Sequence, residues 1–301
     1  MKLAPLFLSL ALVSPLCAQT NAPETDETKP AAKAAPTPPE TTPVTLPGTE
    51  AFIYRDSKPD PMRLFVVKPT GWAASDKRPA LIWFFGGGWT KGSPEKSAGW
   101  ARIAATWGMV GIAPDYRTKN RFNTSPLESV ADSRAALHWV EEHAAELGID
   151  PNRIVVGGAS AGGHVALWTG IEHTPPGSDP AEAPKIKPVA LILCSAASDT
   201  SKASGYTPKR FGDNADALSG LHQVDAKMPP TLVFHGDADQ TVPYRQSVDL
   251  VKKLTDSGNS VEFITVPGGS HGFTSETPGW KDKTKQIIHD FLVKQKLISA
   301  P

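Results

Sequence analysis

The chain contains 301 residues, of which 40% are hydrophobic, and its 31 Lys and Arg residues are balanced by 31 Asp and Glu residues. This composition is typical of a globular protein with a sizeable core, and a net charge of zero excludes the basic excess of a nucleic-acid-binding protein. The two cysteines, Cys17 and Cys194, are too few for a disulfide framework.

Residues 1–18 have the pattern of a secretory signal peptide, because Lys2 is followed by an apolar run and then by small residues. The run is too short and wrongly flanked for a membrane span, so we predict an exported protein, periplasmic or secreted. Cys17 leaves a lipid anchor as the alternative, although Leu16 stands where such signals need a small residue. Cys194 lies in the apolar run "VALILCSA", which predicts a buried and inert thiol.

Residues 19–48 are rich in Pro, Thr, Ala and Glu and contain almost no large apolar side chains. This composition predicts a disordered tether. Residues 49–301 have the size of one α/β domain, and we predict that they form the catalytic unit.

The predicted domain starts with "AFIYRD" and "MRLFVVKP", which indicate a lead-in hairpin. Strand-like and helical patterns then alternate from about residue 79. The predicted strands are "PALIWFFG", "GMVGIAPDYR", "RIVVGG", "VALILCSA", "PTLVFHGDAD" and "SVEFITVPG". The predicted helices are "PLESVADSRAALHWVEEHAAELG", "AGGHVALWTGIEH", "YRQSVDLVKKLTDSG" and "KDKTKQIIHDFLVKQK". This alternation predicts an α/β fold with a mostly parallel central sheet and helices on both faces. Residues 199–229 follow neither period, and we expect them to form a short lid.

One motif stands between a predicted strand and a predicted helix. In "IVVGGASAGGHVALW", Gly158, Ser160 and Gly162 give the spacing G-x-S-x-G of a nucleophile elbow, where small neighbours are required. A glycine-rich turn with an incidental serine is the alternative, because short motifs also occur by chance. A dinucleotide-binding G-x-G-x-x-G pattern is not matched, since Ala159 stands where the second glycine is needed.

A serine hydroxyl needs a base, and the base needs an acid that orients it. In this architecture the chain order is serine, acid, histidine. Two segments after Ser160 fit, because "HGDADQTVP" and "PGGSHGF" each end a predicted strand. We predict Asp239 as the acid and His271 as the base, since both lie at the carboxyl edge where open α/β sheets form sites. Asp237 is the rival acid in the same loop.

The other histidines are weaker candidates for the base. We expect His164 to be a core residue of the helix behind the serine, and His235 to hold the loop that carries the acid. His222 lies in the predicted lid, where it either contacts substrate or is a solvated surface residue.

Three consecutive glycines, residues 86–88, follow the strand-like run "LIWFF". Glycine at such a position costs conformational entropy and packs nothing, but it exposes backbone N–H groups. We predict that the N–H groups of Gly87, Gly88 and Ala161 form an oxyanion hole. A plain turn is the alternative.

These segments resemble the α/β-hydrolase fold serine esterases, specifically the hormone-sensitive-lipase-like and bacterial acetyl (feruloyl) esterase groups. The similarity lies in "FGGGW", "APDYR", "LGIDPNRIVVGGASAGGHVAL", "HGDADQTVPY" and "GGSHGF", which occur in order from about residue 79 to the C-terminus. The resemblance implies carboxylic ester hydrolysis through an acyl-enzyme without a cofactor. It also suggests acetyl-type esters of carbohydrates as substrates.

The chain departs from this family at Phe85, where the family usually has a histidine that braces the oxyanion loop. Phenylalanine has no side-chain donor, so we expect packing against Phe84 or Trp89 to hold the loop. We also expect Trp89 to crowd the pocket and to favour short acyl groups.

The leading hypothesis is therefore a serine carboxylic ester hydrolase that acts on a small-molecule or oligosaccharide ester. A serine peptidase of the prolyl-oligopeptidase type shares the triad order, although the chain has no repeat region for a propeller domain. A degenerate hydrolase used for binding is the third hypothesis, and it predicts a missing triad residue. The sequence contains no H-E-x-x-H, paired C-x-x-C or phosphate-loop motif, so we expect no metal and no cofactor.

Overall fold

The structure is a computed structural model that describes residues 41–206 and 209–300. The predicted signal peptide, Cys17 and the first part of the predicted tether lie outside the described residues. The last part of the tether segment packs on the domain, since Leu46 is buried against Phe65 and Ala101. The Thr42 hydroxyl also accepts a hydrogen bond from Arg121, at 3.2 Å.

In the described ranges, eight strands form a single sheet in the order β1-β2-β4-β3-β5-β6-β7-β8. β1 pairs with β2 and β2 with β4 in antiparallel fashion, whereas all other neighbouring strands are parallel. The strands are β1 (Glu50–Arg55), β2 (Met62–Val67), β3 (Arg78–Phe84), β4 (Val110–Pro114), β5 (Ile149–Ala159), β6 (Ala190–Cys194), β7 (Thr231–Gly236) and β8 (Val261–Val266). The predicted lead-in hairpin and mostly parallel sheet are therefore confirmed.

The helices connect the parallel strands and flank the sheet. They are α1 (Glu95–Thr106), α2 (Lys119–Phe122), α3 (Pro126–Glu142), α4 (Ala161–Gly170), α5 (Gly220–Gln223), α6 (Arg245–Asp256), α7 (Phe273–Glu276) and α8 (Trp280–Lys294). The sequence patterns missed α1, whose apolar face consists mainly of alanines, and the three four-residue helices. None of the helices in the described ranges is long and apolar enough to cross a membrane.

The longest helix begins and ends for identifiable reasons. Pro126 occupies the first turn of α3, and Ser125 and Glu128 form a capping box there. The helical pattern predicts continuation to Gly148, but α3 ends at Glu142 and turns occupy residues 143–148. Gly148 has φ +64°, and a Cβ there would lie 2.7 Å from the Ala73 carbonyl oxygen. The connection therefore reaches β5 through a left-handed glycine.

Each face of the sheet carries its own apolar core. Side chains alternate along β3, so Ile82 and Phe84 face the cluster that contains α3 and α4. Leu81 and Trp83 face the opposite cluster, to which α8 contributes Phe291. Because both faces are covered, the central strands are apolar throughout, as parallel strands usually are.

In the described residues of the segment predicted as a lid, the helical elements are all short. These are the 3-10 helices Lys202–Ser204 and Lys209–Asn214 and the four residues of α5. Phe211 anchors the segment, since it is 2% exposed and its ring packs edge-on against Trp89 at a centroid distance of 4.7 Å. Such short elements have no period that a sequence pattern could reveal.

Candidate active site

The predicted site residues come from four loops at one edge of the sheet. The glycine loop (86–88) follows β3, Ser160 follows β5, Asp239 follows β7 and His271 follows β8. Since these strands are parallel, their carboxyl ends meet at the same edge. Ser160, His271 and the glycine loop line one cavity of about 900 Å³.

Ser160 occupies a strained turn between β5 and α4. Its φ of 57° and ψ of −121° are rare for a residue with a side chain, and its N–H donates to the Cys194 carbonyl at 2.9 Å. A Cβ on Gly158 would lie 2.4 Å from the Gly162 carbonyl oxygen, and a Cβ on Gly162 would lie 2.3 Å from that of Phe84. The small residues of the G-x-S-x-G spacing are therefore required by backbone contacts on both sides of the serine.

Asp239 and His271 form a short charge-assisted contact. His271 Nδ1 lies 2.7 Å from Asp239 Oδ2, while Oδ1 accepts from the N–H groups of Thr241 and Val242 at 2.8 and 3.0 Å. Burial would raise the pKa of Asp239, but hydrogen bonds from His235, His271 and these backbone groups outweigh it and hold that pKa well below its usual range. The carboxylate therefore stays ionised and fixes the proton of His271 on Nδ1, which leaves Nε2 as a base.

The rival acid faces away from the histidine. Asp237 is exposed, and its carboxylate accepts from the N–H of Gly268 at 2.7 Å. It therefore holds the turn after β8, whereas Asp239, at 6% exposure, is the carboxylate that contacts His271.

A second histidine fixes the loop that carries the acid. His235 is fully buried, and its Nε2 lies 3.1 Å from Asp239 Oδ2 and 3.0 Å from the Val242 carbonyl. Its Nδ1 lies 2.6 Å from the hydroxyl of Ser247 on α6. The expectation that His235 holds the acid loop is confirmed.

Backbone contacts leave no room for a side chain at Gly86 and Gly87, and Gly88 has a left-handed backbone. A Cβ on Gly86 would lie 2.9 Å from the Ala159 carbonyl oxygen and 3.2 Å from the Ser160 Cβ, and one on Gly87 would lie 1.8 Å from the Lys91 carbonyl oxygen. A Cβ on Gly88, which has φ +60°, would lie 2.6 Å from Arg210 Nη1. The loop thus runs as bare backbone beside Ser160. Ala161, the first residue of α4, has an N–H without a carbonyl partner inside the helix.

The brace of this loop differs from the expected one. Phe85 stacks on Tyr116, with ring centroids 4.1 Å apart and an interplanar angle of 11°. The Tyr116 hydroxyl also donates to the Phe85 carbonyl at 2.8 Å. The predicted packing against Phe84 or Trp89 was wrong, because the partner comes from the loop after β4, which lies beside β3 in the sheet. A hydrogen bond to the loop backbone is therefore supplied by Tyr116.

A buried ion pair positions Tyr116. Arg121 binds the carboxylate of Asp115 through two 2.6 Å contacts and donates to the Tyr116 carbonyl at 3.0 Å. Asp115 Oδ1 also accepts from the Tyr116 N–H at 2.8 Å. Burial raises the pKa of Tyr116, so its hydroxyl keeps the proton that it donates. The segment "APDYR" contains Asp115 and Tyr116, but no spacing rule assigns the two residues their roles in holding the loop.

Trp89 also takes a different place from the one expected. It borders the cavity but is only 2% exposed, and its ring packs edge-on against His164 and Phe211. His164 is a buried core residue, as predicted, and its Nε2 contacts the Leu218 carbonyl at 2.8 Å. Trp89 Nε1 donates to His164 Nδ1 at 3.3 Å. Trp89 thus joins the glycine loop to α4 and the lid segment.

The sequence also predicts the environments of Cys194 and His222. Cys194 is 3% exposed, and burial raises the pKa of its thiol to about 12, as expected of an inert cysteine. His222 is exposed and does not line the cavity with Ser160.

Tyr206 and Arg210 of the lid segment do line the cavity, and no sequence pattern indicates them.

Comparison with known proteins places the chain in a family. The BD-FAE family model matches residues 69–182 and 193–254, which is more than half of the chain. Esterase LipC of Mycobacterium tuberculosis is 28% identical over 73% of this chain and 59% of its own length. Carboxylesterase NlhH of the same organism is 30% identical over 66% of this chain and 68% of its own. The chain therefore spans less than two thirds of LipC.

Solved structures agree with this result. Butyrate-bound Est2, an esterase of Thermogutta terrifontis, is 34% identical with a TM-score of 0.77, covering 85% of this chain and 97% of that one. The same esterase has been solved with propionate bound and after phosphorylation by paraoxon. The fold, the turn at Ser160 and these relatives identify an α/β-hydrolase that is similar to the serine esterases. Within that class, the chain belongs to the BD-FAE family.

The serine turn yields a stability prediction. Gly162→Ala should destabilise the protein by about 2 kcal/mol or more, because the new methyl group overlaps the carbonyl oxygens of Phe84 and Phe85. Gly99→Ala is the control, since no atom lies within 4 Å of its added Cβ in the exposed part of α1. The control should be neutral or stabilising. Urea unfolding measures both, and equal stabilities would contradict the close approach described here.

The buried histidine yields a pH prediction. Burial lowers the pKa of His164 from 6.5 to about 4, so between these values the unfolded chain takes up a proton that the folded chain does not. The contribution is fully present above pH 6.5, and the free energy of unfolding should fall by up to about 3 kcal/mol as the pH drops to 4.

Urea unfolding between pH 7.5 and 4 tests this for the wild type, His164→Asn and the exposed control His222→Asn. The pH dependence should be shallower in His164→Asn and unchanged in His222→Asn. Parallel curves for wild type and His164→Asn would contradict the assignment.

Proposed function

We propose that the chain is a serine carboxylic ester hydrolase in which Ser160, His271 and Asp239 act as the catalytic triad. The observation that carries this proposal is the 2.7 Å contact between His271 and Asp239 at the cavity that Ser160 also lines. The esterase relatives support ester hydrolysis as the reaction.

The reaction follows from the protonation states of these groups. His271 takes the proton of Ser160 through Nε2 as the serine oxygen attacks the ester carbonyl carbon. Asp239 holds the proton on Nδ1 and stabilises the imidazolium that forms. The alkoxide leaving group receives the proton from His271, and an acyl-enzyme on Ser160 remains. Water, activated by the neutral His271, then releases the carboxylic acid and restores the serine.

The oxyanion of each tetrahedral intermediate is bound by the N–H groups of Gly87, Gly88 and Ala161. Two features support this role: the bare backbone of the glycine loop beside Ser160, and the free N–H at the start of α4. Donors of this kind lower the barrier most when they are fixed before the reaction begins. The Tyr116 hydrogen bond to the Phe85 carbonyl and the Trp89 contacts with His164 are the interactions that fix them.

The substrates that we propose are short-chain, acetyl-type esters, with acylated carbohydrates as one source. Support for a short acyl group comes from Est2, which binds propionate and butyrate, rather than from Trp89, which is buried. The carbohydrate part rests on the sequence resemblance to exported acetyl esterases. Export to the periplasm or medium is likewise proposed from residues 1–18 alone.

The direct test compares purified wild type with Ser160→Ala on p-nitrophenyl acetate, butyrate and octanoate. Acetate and butyrate should be turned over faster than octanoate, and Ser160→Ala should lose more than about 10⁴-fold in rate. Paraoxon should add one phosphoryl group to the wild type and none to Ser160→Ala, as measured by mass spectrometry. Preferential cleavage of aminoacyl-proline anilides would favour the peptidase alternative instead.

The brace of the glycine loop yields a second activity prediction. Tyr116→Phe keeps the ring stacked on Phe85 but removes the hydrogen bond to its carbonyl, so kcat should fall about tenfold with little change in KM. Tyr244→Phe is the control, because its hydroxyl contacts Thr265 at 2.6 Å, away from the glycine loop. An unchanged kcat in Tyr116→Phe would show that stacking alone holds the loop.

A further inference from the structure

The wall of the Ser160 cavity carries positive charge without a matching negative charge. Among the residues that the structure describes, its lining includes Lys91, Lys96 and Arg210 but neither aspartate nor glutamate. Asp239 lies behind His271 and does not line the cavity. Because the whole chain has a formal net charge of zero, this wall is a local concentration of cations rather than a reflection of overall composition.

These cations have no carboxylate partner within the described residues. No Asp or Glu oxygen there lies within 4.0 Å of a side-chain nitrogen of Lys91, Lys96 or Arg210. The acid nearest to the two lysines along the chain, Glu95, accepts from the Ser93 hydroxyl. The acid nearest to Arg210, Asp213, lies 3.9 Å from Lys202 instead.

Three other arginines of this domain are paired. Arg55 and Arg117 both contact Asp132, and Arg121 contacts Asp115. The cations at the cavity differ from these three arginines, and they also differ from Arg134, which donates to the backbone carbonyls of Trp168 and Ile171.

Arg210 contacts the glycine loop directly. Its Nη1 is 2.6 Å from the position of a Cβ on Gly88, in the glycine loop, and donates to the Thr90 hydroxyl at 2.7 Å. Its guanidinium carbon lies 5.7 Å from the centre of the Trp89 ring. These contacts use one nitrogen and one face, so the other N–H groups of the guanidinium remain available to a ligand.

We propose that the Ser160 cavity selects esters that carry a carboxylate, and that Arg210 is the residue that binds this carboxylate, with Lys91 and Lys96 adding to the positive potential. A guanidinium binds a carboxylate through two parallel hydrogen bonds, and the surrounding lysines would raise the local concentration of anionic substrates. This inference rests on the proposed esterase function and narrows its substrate class. The carboxylate can belong to the acyl part, as in a half-ester of a dicarboxylic acid, or to the alcohol part, as in an acidic sugar or hydroxy acid.

The test uses two matched substrate pairs on the full chain. For the acyl side, the pair is mono-4-nitrophenyl succinate and its methyl ester. For the alcohol side, the pair is 4-acetoxybenzoate and its methyl ester. The quantity compared is the ratio of kcat/KM for the anionic substrate to kcat/KM for the neutral one, because intrinsic reactivity cancels when a variant is compared with wild type.

Arg210→Gln should lower this ratio about tenfold or more for at least one pair, the size expected for the loss of a charge-assisted hydrogen bond. The affected pair identifies the side that carries the carboxylate. Lys209→Gln is the matched control, since it removes the adjacent exposed cation, which does not line the cavity, and should leave both ratios unchanged. Added salt should also lower the wild-type ratio.

In the alternative, Arg210 only connects the lid segment to the glycine loop through its hydrogen bond to Thr90. In that case Arg210→Gln would slow anionic and neutral esters equally, and Thr90→Val, which removes its hydroxyl partner but keeps the charge, would do the same. Ratios that stay within twofold of wild type for both pairs, in Arg210→Gln and in the triple variant with Lys91→Gln and Lys96→Gln, overturn the proposal.

A binding measurement separates this inference from the proposed reaction. Tryptophan fluorescence of Ser160→Ala reports ligand binding because Trp83 and Trp100 line the cavity. Monomethyl succinate should bind about tenfold more tightly than dimethyl succinate, and Arg210→Gln in the same background should remove the difference. If the wild type hydrolyses neither the neutral nor the anionic esters, the esterase proposal fails. Equal binding of the two succinates overturns the carboxylate site alone.

Discussion

The close approach of two backbone segments at the carboxyl ends of β3 and β5 is the constraint on which the site depends. These strands are neighbours in the sheet, so the chain that leaves β3 passes directly beside the serine turn that follows β5. There is no room for a side chain between them, as the positions of Gly86, Gly158 and Gly162 show. The contact brings bare N–H groups to the serine, and it makes the local sequence intolerant of larger residues. These glycines lose more conformational entropy on folding than other residues would, and the close backbone packing that they permit offsets this loss.

A backbone loop without side chains needs support from outside. In this chain the support comes from Tyr116, which stacks on Phe85 and donates to its carbonyl. Tyr116 is in turn fixed by the Asp115–Arg121 ion pair, which is buried with geometry good enough to satisfy both charges. The replacement of the usual histidine by Phe85 therefore leaves the loop with a hydrogen-bonded brace whose donor lies in the neighbouring loop. On the other side, Trp89 links the loop to His164 and to the lid segment.

The lid segment explains how one scaffold can carry a particular specificity. It has little regular structure, and its position depends on apolar anchors such as Phe211. Between these anchors it places Tyr206 and Arg210 in the wall of the cavity. The proposed triad would supply the same chemistry to any ester, whereas under our proposal the charge of this wall would decide which esters are bound. Binding and catalytic residues commonly lie on different loops that a rigid sheet holds in place.

The sequence by itself determined the α/β fold, the chain order of its strands and the residues at their carboxyl ends. It could do so because strand and helix periods, the small residues around Ser160 and the order serine, acid, histidine are local signals. It could not determine the length of α3. The helix-favouring residues continue past Glu142, but the chain must turn there to reach β5. Nor could it choose Tyr116 as the partner of Phe85, separate Asp239 from Asp237 by contact, or assign Arg210 to the cavity. Those facts depend on which loops become neighbours when the strands pair, and the pairing of β3 with β4 and β5 exists only in the folded sheet.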